Sequence, residues 1–246
     1  MTTQHWIFLS PHLDDVTLSC GGLVWCLTQH GYRVEIWTLM SGFPPDEAYS
    51  EFARQNHQAW GKSGREAIVM RRAEDRAACD VLGVTPRHFE IPDAIYRRDP
   101  ASSEFVVNND EELFSRKPET TLVGEIASIL DREIQPEAVL VMPMGLGGHI
   151  DHRAVRTAGE KLPGDHLYYI DYPYILWSYE DIHQGGESWQ RVPHDLNQDA
   201  LEAWQDAVLC YTSQLSSFWR DEEETRLALN NYLAGGGGRL WRKAEG

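Results

Sequence analysis

The sequence predicts an α/β fold: a mainly parallel sheet with helices on both faces. Three observations carry this. Strand-like and helix-like stretches alternate through roughly the first 172 residues, the pattern of repeated βαβ units. The runs at 6–9 and 138–142 are continuously apolar, as strands buried on both faces are. Clusters of His and Asp follow two of the predicted strands, where open parallel sheets bind ligands.

The elements follow in order. Trp6-Ile7-Phe8-Leu9 form the first strand, at 6–9. Residues 16–30 predict a helix with Leu18, Leu23 and Leu27 near one face, stopped by Gly31. Residues 33–39 alternate β-branched and aromatic side chains as a second strand. Residues 70–82 predict a helix whose Ala73, Ala77 and Val81 stripe faces inward and which Gly83 closes. A short strand at 88–91, a helix at 121–132, a strand at 138–142, a helix at 151–161 and a strand at 167–171 complete the alternation. Helical patterns at 200–209 and 221–233 read as packing on the same unit. One domain over 1–246 is therefore expected, with a motif-bearing core at about 5–172 and a helical region at about 173–246 packed on it. Two long polar segments, 41–64 and 92–118, each follow a predicted strand. Loops of that length are usually functional, and the first, with Tyr49 and Trp60, reads as a lid. Gly235 to Gly238 reads as a flexible break.

Composition narrows the function classes. A chain of 246 residues, 42% hydrophobic and 24% charged, can build a core without a disulfide or a structural metal. Its 22 basic and 38 acidic residues give a formal net charge of −16, which repels phosphate backbones and argues against nucleic acid as a partner. The four cysteines form no CxxC pair and have apolar neighbours, as free thiols in a reducing cytoplasm do. A cytoplasmic location is expected, with no signal peptide and no membrane span. Gly21-Gly22 lies in no GxGxxG or GxxxxGK pattern, so no phosphate loop is read there.

The chemistry concentrates in two short stretches. SPHLDD, residues 10–15, follows the first strand, and GGHIDHRAV, residues 147–155, follows the fourth. In His12-x-x-Asp15 and His149-x-x-His152 the paired residues lie on one face of a helical turn. Two imidazoles and a carboxylate are a common ligand set for catalytic zinc, with a position left for water. The same set also holds ferrous iron, so the spacing leaves the metal open between the two. One His and one Asp remain over, matching the base and acid that a hydrolase needs. Taken alone, each motif reads as well as a turn and a helix cap, with Asp15 a plain N-cap.

SPHLDD resembles the PHPDD motif, and GGHIDHRAV the HPDH motif, of the LmbE-like (PIG-L) zinc-dependent N-deacetylases. Arg71-Arg72-Ala73-Glu74, with Ala77, Ala78 and Leu82-Gly83, resembles that family's RxxE helix. The resemblance spans residues 5 to about 172. It implies a Rossmann-like fold and hydrolysis of an N-acetyl group from a small-molecule amino sugar, with self-association left open. It also implies roles. His12, Asp15 and His152 bind the metal. Asp14 is the general base. His149 stabilises the tetrahedral intermediate or protonates the departing amine. Asp151 orients a histidine, and Arg71 and Asp93 contact sugar hydroxyls. Leu13 and Val16 replace the family's usual Pro and Glu and are expected to pack inward. Tyr172 and Tyr174, after the fifth strand, are expected in the core, with the ligand rim as the alternative.

Overall fold

The computed structural model describes residues 4–176 and 188–244. In chain order they form β1 (His5–Ser10), α1 (Asp15–Gln29), β2 (Arg33–Thr38), α2 (Glu51–Trp60), α3 (Gly64–Leu82), β3 (Thr85–His88), α4 (Asp110–Ser115), α5 (Thr120–Glu133), β4 (Val139–Pro143), α6 (Ile150–Gly159), β5 (Leu167–Tyr169), β6 (Trp189–Arg191), α7 (Gln198–Val208), α8 (Thr212–Leu215), α9 (Glu222–Ala234) and β7 (Leu240–Lys243). Among the described residues the strands make one seven-stranded sheet in the order β3-β2-β1-β4-β5-β7-β6. The first five strands are parallel; β7 runs antiparallel to β5 and β6. The chain order reverses between β1 and β4, and at that switch point the flanking loops diverge and leave a crevice.

An apolar core covers each face of the sheet. On one side Phe8, Val34, Ile36 and Val141 pack under α1, α3 and α7. On the other, Ile7, Leu9, Leu140 and Met142 pack under α5 and α6, through Ile126, Leu130, Val155 and Ala158. Leu13 and Val16 are buried, as expected.

The structure corrects the expected elements at four places. Helix α3 begins at Gly64, not near residue 70, and its Ala73, Ala77 and Val81 stripe faces solvent. Its buried face is Ala67, Ile68, Arg71, Asp75, Ala78, Cys79 and Leu82. Two of those inward positions are charged, so apolar periodicity pointed to the wrong side. The third strand is Thr85–His88; Phe89 and Ile91 are buried beyond its end. Pro86 is tolerated because β3 is an edge strand. The long segments are not bare loops: they contain α2, a 3-10 turn at Ala94–Tyr96 and α4. With Ile68 of α3 and Ile150 of α6 they build an apolar cluster through Phe52, Ala53, Ile95, Tyr96, Val107 and Leu113. Finally, β6 and β7 went unread because strands of three or four residues carry too little periodicity.

The C-terminal helices dock through Trp204. Its ring is fully buried, its Nε1–H donates to the Thr17 carbonyl at 2.6 Å, and it lies flat against Gly21 and Gly22. A Cβ at Gly21 would meet it at 2.6 Å, so this glycine pair serves close helix packing. Gly237 and Gly238 pack against Tyr232 and Trp204, so the glycine run is a seated turn into β7. Trp204→Phe keeps most of the apolar contact but removes the Nε1–H bond to the buried Thr17 carbonyl. The expected cost is about 1–3 kcal/mol, read from the midpoint of urea unfolding at unchanged m.

Candidate functional site

The turn after β1 is locked by its own polar groups. Ser10 Oγ donates to the His12 carbonyl at 2.6 Å, and the Asp14 amide donates to the same carbonyl at 3.1 Å. Asp15 opens α1, and its Oδ2 accepts the His12 amide at 2.7 Å. Asp14 is bent out at φ 153°, a conformation an L side chain rarely holds and one that recurs at functional sites. The turn after β4 reaches the same place by another device. Gly145, Gly147 and Gly148 all take positive φ, and a Cβ on Gly148 would meet the Phe114 carbonyl at 2.5 Å. His149 then caps α6, its Nδ1 accepting the Asp151 amide at 3.2 Å.

The two turns meet at the switch point. Asp15 Oδ2 stands 3.2 Å from His12 Nδ1 and 3.3 Å from His152 Nε2. The far nitrogens of both rings face carboxylates: His12 Nε2 lies 3.1 Å from Asp151 Oδ2, and His152 Nδ1 lies 2.6 Å from Asp171 Oδ1. Asp151 is itself held by Arg97 at 2.6 Å and by the Ala94 amide at 3.0 Å. Arg97 also pairs with Glu119 at 2.8 Å. Asp93 Oδ2 is 3.6 Å from His12 Nε2, and Arg71 Nη2 is 3.8 Å from Asp14 Oδ1. All eight residues singled out from the sequence therefore come together, and all are buried. A cavity of about 910 Å³ at the amino ends of β4 and β5 touches none of them.

Two sets of ligand atoms lie close enough to share an ion: His12, His149 and His152, and His12, Asp93 and Asp151. Hydrogen bonding argues against both as complete sets. The His149 Nδ1 receives a backbone N–H, so its hydrogen sits on Nε2, which then has no lone pair to offer. Asp151 is already saturated by a guanidinium and a backbone amide. The atoms left with inward lone pairs are His12 Nδ1, His152 Nε2 and the Asp15 carboxylate. His152 Nε2 is buried and makes no well-aligned hydrogen bond, with Asp15 Oδ2 at 3.3 Å, as suits a nitrogen that could share an ion with that carboxylate.

The charges sort the remaining groups. Burial pushes the Asp14 carboxyl up to about 7, against the pull of Arg71. Burial also disfavours ionised Asp15, but the His152 and His12 imidazoles outweigh it and hold the carboxyl well below its usual range. Burial holds His149 well below its ordinary value, so the ring is neutral.

Sequence reasoning missed three contributors. The expected strand ends at Asp171, but β5 stops at Tyr169 and Asp171 stands on the rim, a position that the strand-end rule picks out. Arg97 and Phe114 lay in a segment read as loop. Of the two tyrosines, Tyr172 is core, whereas Tyr174 is half-buried on the rim. Its ring meets His152 edge-on at 5.0 Å, and Phe114 meets His149 edge-on at 5.4 Å. The Arg71 guanidinium lies over the Trp60 ring at 4.8 Å.

A doubly wound sheet with His and Asp converging at its switch point is the architecture of a family of de-N-acetylases. The chain belongs to that family: residues 7–162 match PIG-L, GlcNAc-PI de-N-acetylase. It is 26% identical over 240 residues, 90% of this chain and 85% of the relative, to 2'-N-acetylparomamine deacetylase of Niallia circulans. It is also similar to the zinc-inhibited form of teicoplanin deacetylase Orf2, at 27% identity and a TM-score of 0.79, covering 98% of this chain and 97% of that one. The A40926 pseudoaglycone deacetylase Dbv21 follows at 26% identity and a TM-score of 0.69, covering 98% and 96%. Among the described residues no helix is long and apolar enough to cross a membrane.

Proposed function

We propose that this protein is a metal-dependent hydrolase that removes the acetyl group from an N-acetylated amino sugar within a larger conjugate, releasing acetate and a free amine. The observation that carries the reading is the pair of buried imidazoles, each backed by a carboxylate, whose inner nitrogens converge on Asp15 beside an unspent carboxylate and a neutral histidine. His12 through Nδ1, His152 through Nε2 and Asp15 would hold the metal, zinc by preference and ferrous iron as the alternative. Such an ion supplies a Lewis acid for the amide carbonyl and lowers the pKa of water.

The chain's own groups do the rest. Asp14 takes the proton of the attacking water, and its raised pKa lets it hold that proton and return it to the departing nitrogen. His149 presents Nε2–H, so it acts as a hydrogen-bond donor to the carbonyl oxygen as charge builds there. That selects oxyanion stabilisation over proton delivery for His149. Asp151 keeps His12 in one tautomer. Arg71 and Asp93 would offer charge to sugar hydroxyls, while the ring's C–H faces would meet Trp60, which lies against Arg71, and Phe114 and Tyr174, which lie against the histidine rings. A cytoplasmic site of action fits the free thiols.

The named activities of the relatives, on 2'-N-acetylparomamine and on teicoplanin, support an amino sugar carried on an aglycone. The first test is acetate release at one equivalent of zinc from N-acetylglucosamine-type conjugates, from N-acetyl amino acids and from N-acylated thiol conjugates. Release confined to the sugar conjugates is expected; equal release from sugar-free amides would make the protein a general amidase. Phe114→Ala should raise KM for the sugar conjugates by about 2–10-fold with a smaller change in kcat, the equivalent of one lost aromatic contact. An unchanged KM would remove Phe114 from the substrate wall.

A further inference from the structure

We infer that Asp171 is the positioning residue of this site: it fixes which nitrogen of His152 faces Asp15 and seats the glycine loop that delivers His149. The inference rests on the metal reading above. Asp171 is buried at 1% exposure and spends one oxygen on each task. Oδ1 accepts His152 Nδ1–H at 2.6 Å, and Oδ2 accepts the Leu146 amide at 2.9 Å. Leu146 lies between Gly145 and Gly147, both at positive φ, so the loop has little side-chain packing of its own to hold it. Tyr172, the residue after Asp171, is anchored too, its amide donating to Ser19 Oγ in α1 at 3.1 Å.

The geometry leaves His152 one useful orientation. Its side chain is wholly buried, with Tyr174 against its face and Asp15 3.3 Å from Nε2. Rotating the ring by half a turn would place carbon where Asp171 now accepts a hydrogen bond and would withdraw Nε2 from Asp15. A carboxylate bonded to the outer N–H of a ligating histidine sets its tautomer and raises its basicity. Asp151 does the same for His12 and is in turn clamped by Arg97. The Asp171 clamp additionally reaches the loop after β4, so one carboxylate aligns groups from both sides of the metal-ligating and oxyanion-binding halves of the site.

Asp171→Asn makes the test sharp. The amide keeps one acceptor and turns an N–H toward the other donor, so either His152 or Leu146 loses its bond. Zinc affinity, measured by competition with a chromogenic chelator, should fall about 10–100-fold. In the proton NMR spectrum of the zinc-loaded wild type, a strongly downfield Nδ1 proton should be assigned to His152 by its loss in His152→Ala, and it should shift or vanish in Asp171→Asn. Far-UV circular dichroism of the variant checks that it is folded. Zinc affinity within threefold of wild type in a folded variant overturns the inference and leaves the metal reading standing. Should the variant fail to fold, the wild-type spectrum decides: a downfield His152 proton supports the inference and its absence overturns it. A wild type that takes up no divalent ion overturns the metal reading and this inference together.

Discussion

Asp14→Asn should lower kcat by about 10²–10⁴-fold, the usual worth of a general base. The amide is the same size as the carboxyl, and Asn is among the few residues that tolerate unusual backbone angles, so the strained turn should survive. The proposed ligand atoms of His12, Asp15 and His152 do not involve Asp14, so zinc affinity should stay within a few-fold of wild type. KM should change little, because Asp14 is asked to move a proton, not to hold the sugar. Burial opposite Arg71 gives the group its role: it stays ionisable near neutrality and is shielded from bulk water. Steady-state acetate release with metal content measured on the same samples checks the expectation. Activity within tenfold of wild type would move the base elsewhere.

Arg97→Met should cost about 3–5 kcal/mol of stability, the penalty for leaving a buried carboxylate without its counter-ion. Asp151 is wholly buried and depends on Arg97 at 2.6 Å; burial works against its ionised form, and the guanidinium outweighs that and holds the carboxyl well below its usual range. A depressed carboxyl contributes stability above its unfolded pKa, about 3.9, that is lost as pH falls through the folded value. The deficit of the variant relative to wild type should therefore be full near pH 7 and shrink below about pH 4. Denaturant titrations of both proteins at the two ends of that range measure it. A deficit under about 1 kcal/mol at pH 7 would mean that Asp151 needs no counter-ion from Arg97.

The parallel βαβ core was legible because buried strands and Gly-stopped helices leave strong local signals. The site was legible for a related reason. Strand ends are identifiable positions, and the His and Asp clusters at 12–15 and 149–152 follow two strands that the topology makes neighbours. Resemblance to a known family named the same residues. What escaped lies where tertiary context overrides pattern. Arg71 and Asp75 turn the inward face of α3 polar, so hydropathy periodicity pointed outward. Arg97 sits in a short turn with no repeat to mark it, and its buried partner Asp151 is more than fifty residues away. Asp171 and Tyr174 follow a three-residue strand whose end could not be placed to within two residues. The tautomers that separate His149 from His12 and His152 belong to hydrogen bonds, which no spacing rule encodes.

The most direct test is the divalent metal content of tag-free protein, wild type against His152→Ala, by elemental analysis after a chelator wash and exposure to one equivalent of zinc. The account predicts about one zinc per wild-type chain and a near-complete loss in the variant. No metal on the wild type, or equal metal on both, would contradict it: His12, Asp15 and His152 would then be a buried polar network at the end of β1.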